Sequence, residues 1–446
     1  MKNNQNLLSS EPYRKLLLKL SLPAVVIMLV TVVYNMADTF FIGKLNDPNK
    51  ITALSLCGPM FSILSGLGTL FGSGGCTAVS LALGRDDQKQ VKAITSLSFA
   101  GAISIGLIYM SVVLCFIEPI CALLGADADT MTDAMRYLRI VALGAPFIMV
   151  SNTFNNIIRA DGSTIVSLTC NMVGTVSNIL LDALFILVFR WDVMGVALAT
   201  VIGNALSTAM IVGYVLKRQP AFSLNPKDIQ FKAEIVIPVV SLGIPMASSA
   251  LLMSVSGVLA NRLMVSHGNI WLAAQGVAGK AGMLITMLIM GICMGLQPAI
   301  SYCYSAGNNK RLYEILKKTT IFTAALGTGI GILCFFAKDI IISSFIDNPE
   351  VIACGRVMVF ASLLIAPVYG LYMVCHTFLQ ATGKASYATI VALLDKGLVY
   401  VPVLYLMNHF FHAYGIAYSS AVTLIMSLVV SLFLSLRWNK HGVLNR

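Results

Sequence analysis

Twelve stretches of mostly apolar residues, each long enough to cross a lipid bilayer, restrict this chain to one environment. They run roughly over 16–42, 52–82, 93–117, 133–158, 164–189, 193–216, 236–263, 270–304, 315–337, 352–379, 386–408 and 415–436. A hydrocarbon layer of about 30 Å takes about 20 helical residues. Inside it every backbone N–H and C=O must be satisfied within the protein, so the spans are expected to be helices. Of the 446 residues 57% are hydrophobic and only 11% are charged, which sets the chain apart from soluble domains. The expected fold class is an all-α integral membrane protein with twelve transmembrane helices. Several spans exceed 25 residues, which predicts tilts, kinks or amphipathic extensions. The first span, preceded by Arg14 and Lys15, lacks a small-residue cleavage site and is too long for a signal peptide.

The Lys and Arg residues set an orientation. With the N-terminus cytoplasmic, twenty of the thirty fall on the inner side and eight on the outer, leaving Lys280 and Lys396 within spans. The positive-inside rule then predicts that both termini are cytoplasmic. The net charge of +11 reports topology and contact with anionic lipid rather than nucleic-acid binding. The ten Cys residues are scattered, mostly singly and within apolar spans, and the five His residues show no metal-ligand spacing. No HExxH or G-x-S-x-G is present, so no enzyme is expected.

An internal repeat organises the spans. Pro23 recurs as Pro245, Ala145-Pro146 as Ala366-Pro367, Ala160-Asp-Gly162 as Ala381-Thr-Gly383, and Gly195-Val-Ala as Gly415-Ile-Ala. The chain therefore reads as two pseudo-twofold-related six-helix lobes. These are an N-terminal lobe over 1–216, a cytoplasmic linker over 217–235 and a C-terminal lobe over 236–446. Six is even, so both copies enter from the same side, and substrate sites are expected near mid-depth.

Against this apolar background two acids stand out. Asp38 and Asp182 lie inside the first and fifth spans, a few residues from their outer ends. A charge at such depth costs about 2.5 to 3.5 kcal/mol on insertion scales, so intramembrane acids usually face a cavity, a partner or an ion path. Asn178 lies one helical turn from Asp182, Thr200 enters the sixth span from the same side, and Tyr137 sits in the outer turns of the fourth. Two carboxylates, an amide oxygen and a hydroxyl form a hard oxygen set suited to a small cation, and paired carboxylates can also share a proton. The coupling ion is thus expected to be H⁺ or Na⁺, with Asp38, Asn178, Asp182 and Thr200 as the Na⁺ ligands and no cofactor.

The C-terminal lobe carries a different signal. Lys280 sits near mid-membrane in the eighth span and is followed by Met283, Met287 and Met290 at helical spacing. Flexible, polarizable methionines suit a surface that takes varied ligands, so this face is a candidate substrate-cavity wall. Asp395 is the expected counter-ion of Lys280, with Lys396 free to extend toward the interface. Asn155 is a further cavity candidate, set against a helix-capping role before Arg159.

Tyr34-Asn-Met-Ala-Asp38-Thr-Phe-Phe-Ile-Gly43, Asn178-Ile-Leu-Leu-Asp182 and Gly195-Val-Ala-Leu-Ala-Thr200 together resemble the multidrug and toxic compound extrusion (MATE) transporters. The resemblance covers essentially the whole chain. It implies paired six-helix bundles, a cation site at Asp38, Asn178, Asp182 and Thr200 with Tyr137 beside it, and a bending first helix with its hinge at Pro23. It also implies secondary active multidrug efflux, in which small cationic and aromatic drugs leave in exchange for H⁺ or Na⁺ by alternating access. The expected setting is a bacterial cytoplasmic (inner) membrane, with the chain acting as a monomer in contact with lipid. NorM-type members use acids in the seventh and tenth helices. Here those spans hold none and Ala260 stands at the position equivalent to Asp38, so the chain resembles the DinF- and MepA-like branch. A lipid-linked saccharide flippase of the same superfamily is the alternative, although it would favour extra helices and cavity arginines.

Overall fold

A computed structural model describes residues 7–43, 47–218, 222–343 and 349–439. These are helical almost throughout, and eleven helices among them are long and apolar enough to cross a membrane. In chain order α1 is Tyr13–Gly43, α2 Pro48–Gly84, α3 Gln88–Cys115, α4 Met131–Ile157, α5 Thr164–Asp182 and α6 Asp192–Arg218. The second series is α7 Ala233–Val265, α8 Asn269–Ser305, α9 Asn309–Ser343, α10 Pro349–Ala381, α11 Ala385–Leu393 and α12 Tyr400–Asn439.

The eleventh and twelfth expected spans meet at a break that falls between their expected ends, 408 and 415. The helical run continues from Ala385 to Asn439 with no intervening loop. It passes through a π turn at Leu394–Leu398 and reverses at His412, whose φ of 54° and ψ of −136° break the helix. Gly415 makes this tight reversal feasible, because a Cβ there would lie 1.9 Å from the Met407 carbonyl oxygen.

Local chemistry sets the helix starts and breaks. Asp47 caps α2 by accepting from the Asn49 amide at 3.0 Å, and Asp87 caps α3 by accepting from the Gln90 amide at 2.9 Å. Proline interrupts the interior of α4 at Pro146 and of α10 at Pro367, and in each case a glycine of the preceding helix approaches the break. A Cβ on Gly106 would sit 2.7 Å from Pro146 Cα, and one on Gly327 would sit 2.4 Å from the Ala366 carbonyl. Small residues admit this close backbone approach, which substitutes for a hydrophobic driving force between helices in lipid.

The chain forms two compact units whose limits fall inside helices. Of the described residues, one comprises Val26–Ala247; the other takes 7–25 together with 248–439. The inner part of α1 therefore belongs with α8, where the Ser21 hydroxyl donates to the Ile292 carbonyl at 3.3 Å. Its side chains Leu16 and Leu20 join a core with Ile289, Cys293 and Leu296. Each changeover comes two residues after a proline of the repeat, Pro23 in α1 and Pro245 in α7. Pro23 also follows a π turn at Leu17–Ser21, so the backbone hydrogen-bond ladder is doubly interrupted there.

Candidate functional site: an acceptor-rich pocket in the first unit

α1, α4, α5 and α6 bring their polar residues to one place in the unit Val26–Ala247. Asp182 is fully buried, and Asn178 and Thr200 are nearly so at 3% exposure each. Asp38 is half-buried and lies close enough to Asp182 to interact electrostatically. Tyr137 sits against Tyr34, Asp38 and Asp182, while Tyr34 reaches Thr200. The Asn178 amide donates to the Thr200 hydroxyl at 3.4 Å, and that hydroxyl donates to the Val196 carbonyl at 3.1 Å. Asp38, Tyr137, Asn178, Asp182 and Thr200 are thus gathered in one neighbourhood.

The balance of donors and acceptors decides what this neighbourhood can hold. Both Asp182 carboxylate oxygens and the Asn178 amide oxygen are buried with no hydrogen-bond partner among the described residues. Each unsatisfied buried acceptor costs about 1 to 3 kcal/mol, and more when it is charged. No Lys or Arg pairs with Asp38 or Asp182 among the described residues; Arg136, on the same helix as Tyr137, instead meets Asp133 at 3.7 Å. α5 ends at Asp182 and continues as a π turn over Ala183–Val188, a local widening often found at functional sites. The site is rich in oxygen acceptors and lacks cationic side chains, which is the chemistry that stabilises an incoming cation or proton.

Next to the acids lies a cavity of about 250 Å³. Its wall includes Tyr34, Asn155, Asn171, Asn178, Asn204 and Ser207, and no charged side chain. Asn155 donates to Ser151 Oγ at 3.3 Å and Ser207 Oγ at 3.4 Å, and its own amide oxygen is left unpartnered. This corrects the capping role considered for Asn155, because it is Asn156 that meets the Arg159 guanidinium. The Asn171 amide oxygen is likewise buried without a partner. Asn171 and Asn204 were missed in the sequence, although Asn171, Asn178 and Asp182 follow one another at spacings of 7 and 4. Tyr34, one turn before Asp38, was legible only as part of a motif.

In the second unit Asp395 has a charged partner beside it in the chain. Asp395 Oδ2 is 2.8 Å from the ammonium of its neighbour Lys396, which therefore does not extend toward the interface. The Lys280 side chain lies outside the described residues. Met283, Met287 and Met290 are half-buried on α8, and Met290 packs against the core that also holds Leu20 and Ile292.

The MatE family model matches residues 23–184 and again 245–406, once for each copy of the repeat. The chain belongs to the MatE family. Its relatives within MatE include the multidrug export protein MepA of Staphylococcus aureus (strain MSSA476), 31% identical over 92% of this chain and 90% of that protein. MepA of Staphylococcus saprophyticus is 30% identical over 90% of this chain and 88% of its own length. Among solved structures, a MATE in complex with MaL6 superposes with a TM-score of 0.93 at 20% identity, covering 99% of both chains. An outward-facing multidrug resistance MATE transporter superposes with a TM-score of 0.91, covering 98% of both. The fold is thus that of the twelve-helix MatE transporters, and the protein is a multi-pass membrane transporter rather than an enzyme.

Proposed function

We propose that this transporter is a secondary active multidrug exporter, driven by H⁺ or Na⁺ entering at Asp38 and Asp182. The observation that carries the reading is the set of oxygens on Asp182 and Asn178 that have no partner among the described residues, buried beside a second carboxylate and with no Lys or Arg of those residues paired to either acid. Export of drugs is supported by the names of the MepA relatives, which match over nine-tenths of the chain. The exported compounds are cationic and aromatic molecules, and the asparagine-lined cavity offers amide and hydroxyl groups to hold their polar parts. The chain acts as a monomer in a bacterial cytoplasmic membrane with both termini inside, following the distribution of its Lys and Arg residues.

Alternating access follows from what an ion does to this site. A cation bound between Asp38 and Asp182 offsets the cost of the unsatisfied oxygens and favours the conformation that surrounds it most closely. The shift is limited by the difference in its affinity for the two states. Asp38 lies on the same helix as Pro23, fifteen residues along, and the interrupted backbone around Pro23 is where that helix can bend. The two six-span halves, 1–216 and 236–446, are the elements that rearrange. In energised vesicles Asp38→Asn and Asp182→Asn are each expected to abolish drug efflux while the protein remains folded. Full transport by both variants would overturn the assignment.

A further inference from the structure

The repeat maps the first unit's cavity wall onto very different chemistry in the second unit. α5 begins at Thr164 and α11 at Ala385, and Pro146 and Pro367 mark the same point of α4 and α10; both pairs are 221 residues apart (385 − 164; 367 − 146). At this offset Ser151, Asn155, Gly174 and Thr175 of the cavity wall correspond to Tyr372, His376, Asp395 and Lys396. Tyr34, at the offset of 222 that relates Pro23 to Pro245, corresponds to Ser256. At the four α4 and α5 positions, uncharged residues that leave space in one unit are replaced by two larger rings and an acid–base pair in the other, while Tyr34 gives way to the smaller Ser256.

The second set also comes together. Asp395, Tyr372 and His376 are 6%, 4% and 5% exposed. The Lys396 ammonium is 2.8 Å from Asp395 Oδ2, and Tyr372 lies against the same carboxylate. The Tyr372 ring is 6.2 Å from that of His376, whose Nε2 is buried without a partner among the described residues. The π turn Leu394–Leu398 carries both charges, and the Ser256 hydroxyl of α7 donates to the Lys396 carbonyl at 2.5 Å. Among the described residues the other titratable groups facing the pair are Tyr369 of α10 and Tyr400 of α12.

We propose that Lys396 is a tethered cation, its ammonium held on Asp395 where an exchangeable ion would otherwise bind, so that ion coupling is confined to the first unit. The proposal rests on the reading of Asp38 and Asp182 as the driving-ion site, but it concerns a separate carboxylate and can fail separately. A buried carboxylate demands a positive partner. Among the described residues Asp182 has none and would take one from solution, whereas Asp395 has one attached to the next residue. A ligand fixed by covalent connection outcompetes free ions because its effective concentration is high and independent of the medium. Removing the lysine therefore exposes a second ion-binding carboxylate, and removing both charges restores a silent site.

The test is proton and ²²Na⁺ binding by purified full-length protein in nanodiscs, carried out in the Asp38→Asn/Asp182→Asn background so that the first site contributes nothing. Lys396→Gln is expected to bind about one more H⁺ or Na⁺ per chain between pH 5.5 and 8.5 than its parent, since a lone buried carboxylate must be neutralised. Asp395→Asn/Lys396→Gln is expected to bind no more than the parent and to keep its melting temperature, and Asp395→Asn alone to melt lower. Lys396→Met serves as the second single variant if Lys396→Gln does not fold. The proposal is overturned if neither lysine variant gains an ion, or if the doubly neutral variant melts as low as Asp395→Asn. Loss of coupling at Asp38 and Asp182 is read separately, from efflux by variants that retain Lys396.

Discussion

The two units of this transporter are copies of one fold that have disposed of buried negative charge in opposite ways. In the first, Asp182 is fully buried with both oxygens unpartnered among the described residues, and the wall beside it is lined by asparagines around open space. In the second, Asp395 is also buried but is closed by Lys396, and tyrosine and histidine rings occupy the positions of Ser151 and Asn155. The same helices and the same proline breaks thus support an open acceptor site in one unit and a filled, charge-balanced one in the other. Duplication fixes where polar groups can meet, and the residues at those positions decide whether they wait for a ligand or satisfy each other.

This contrast can be broken most forcefully at the acids. Loss of either Asp38 or Asp182 as a carboxylate is expected to lower efflux at least 100-fold, about 2.7 kcal/mol, because the ion loses a charged ligand. Asp395→Asn/Lys396→Gln is expected to leave drug efflux within about threefold of the wild type, which vesicle transport assays can read directly. A loss as large as that of Asp182→Asn would erase the distinction between the units.

Intermediate effects are expected from the neutral members of the site. Thr200→Val removes a hydroxyl that accepts from Asn178 at 3.4 Å and should weaken ion dependence about tenfold, seen as a higher ion concentration for half-maximal efflux. Asn155→Leu fills part of the cavity of about 250 Å³ and removes an amide. It should narrow the range of exported drugs while leaving the ion dependence unchanged, which separates the cavity from the ion site. The smallest effect is expected from Pro23→Ala, which restores an N–H and should slow efflux a few-fold without altering ion affinity.

The sequence made the spans legible because hydrocarbon thickness demands long apolar runs, and it exposed Asp38 and Asp182 because charge is so rare within them. It also made the repeat readable through prolines and glycines that interrupt helices at fixed offsets. The junction of the last two spans was legible as well, since their expected ends at 408 and 415 bracket the break at His412. The crossing of α1 and α7 between units was not legible, because helix continuity says nothing about which neighbours each half contacts. Lys280 drew attention to Asp395 by depth alone; a π turn that lets Asp395 pair with the adjacent Lys396 has no signature in apolar periodicity. The asparagine cavity lay hidden for a related reason. Single Asn residues in membrane helices usually join helices together, and only their convergence from several helices makes a wall.

The most direct test of the central claim is drug efflux from proteoliposomes with pH and Na⁺ gradients imposed one at a time on the wild type, Asp38→Asn and Asp182→Asn. The expected result is that one gradient drives efflux by the wild type and neither gradient drives it in either variant. Gradient-driven efflux at the wild-type rate with Asp182 neutralised would contradict the placement of the driving ion in the first unit.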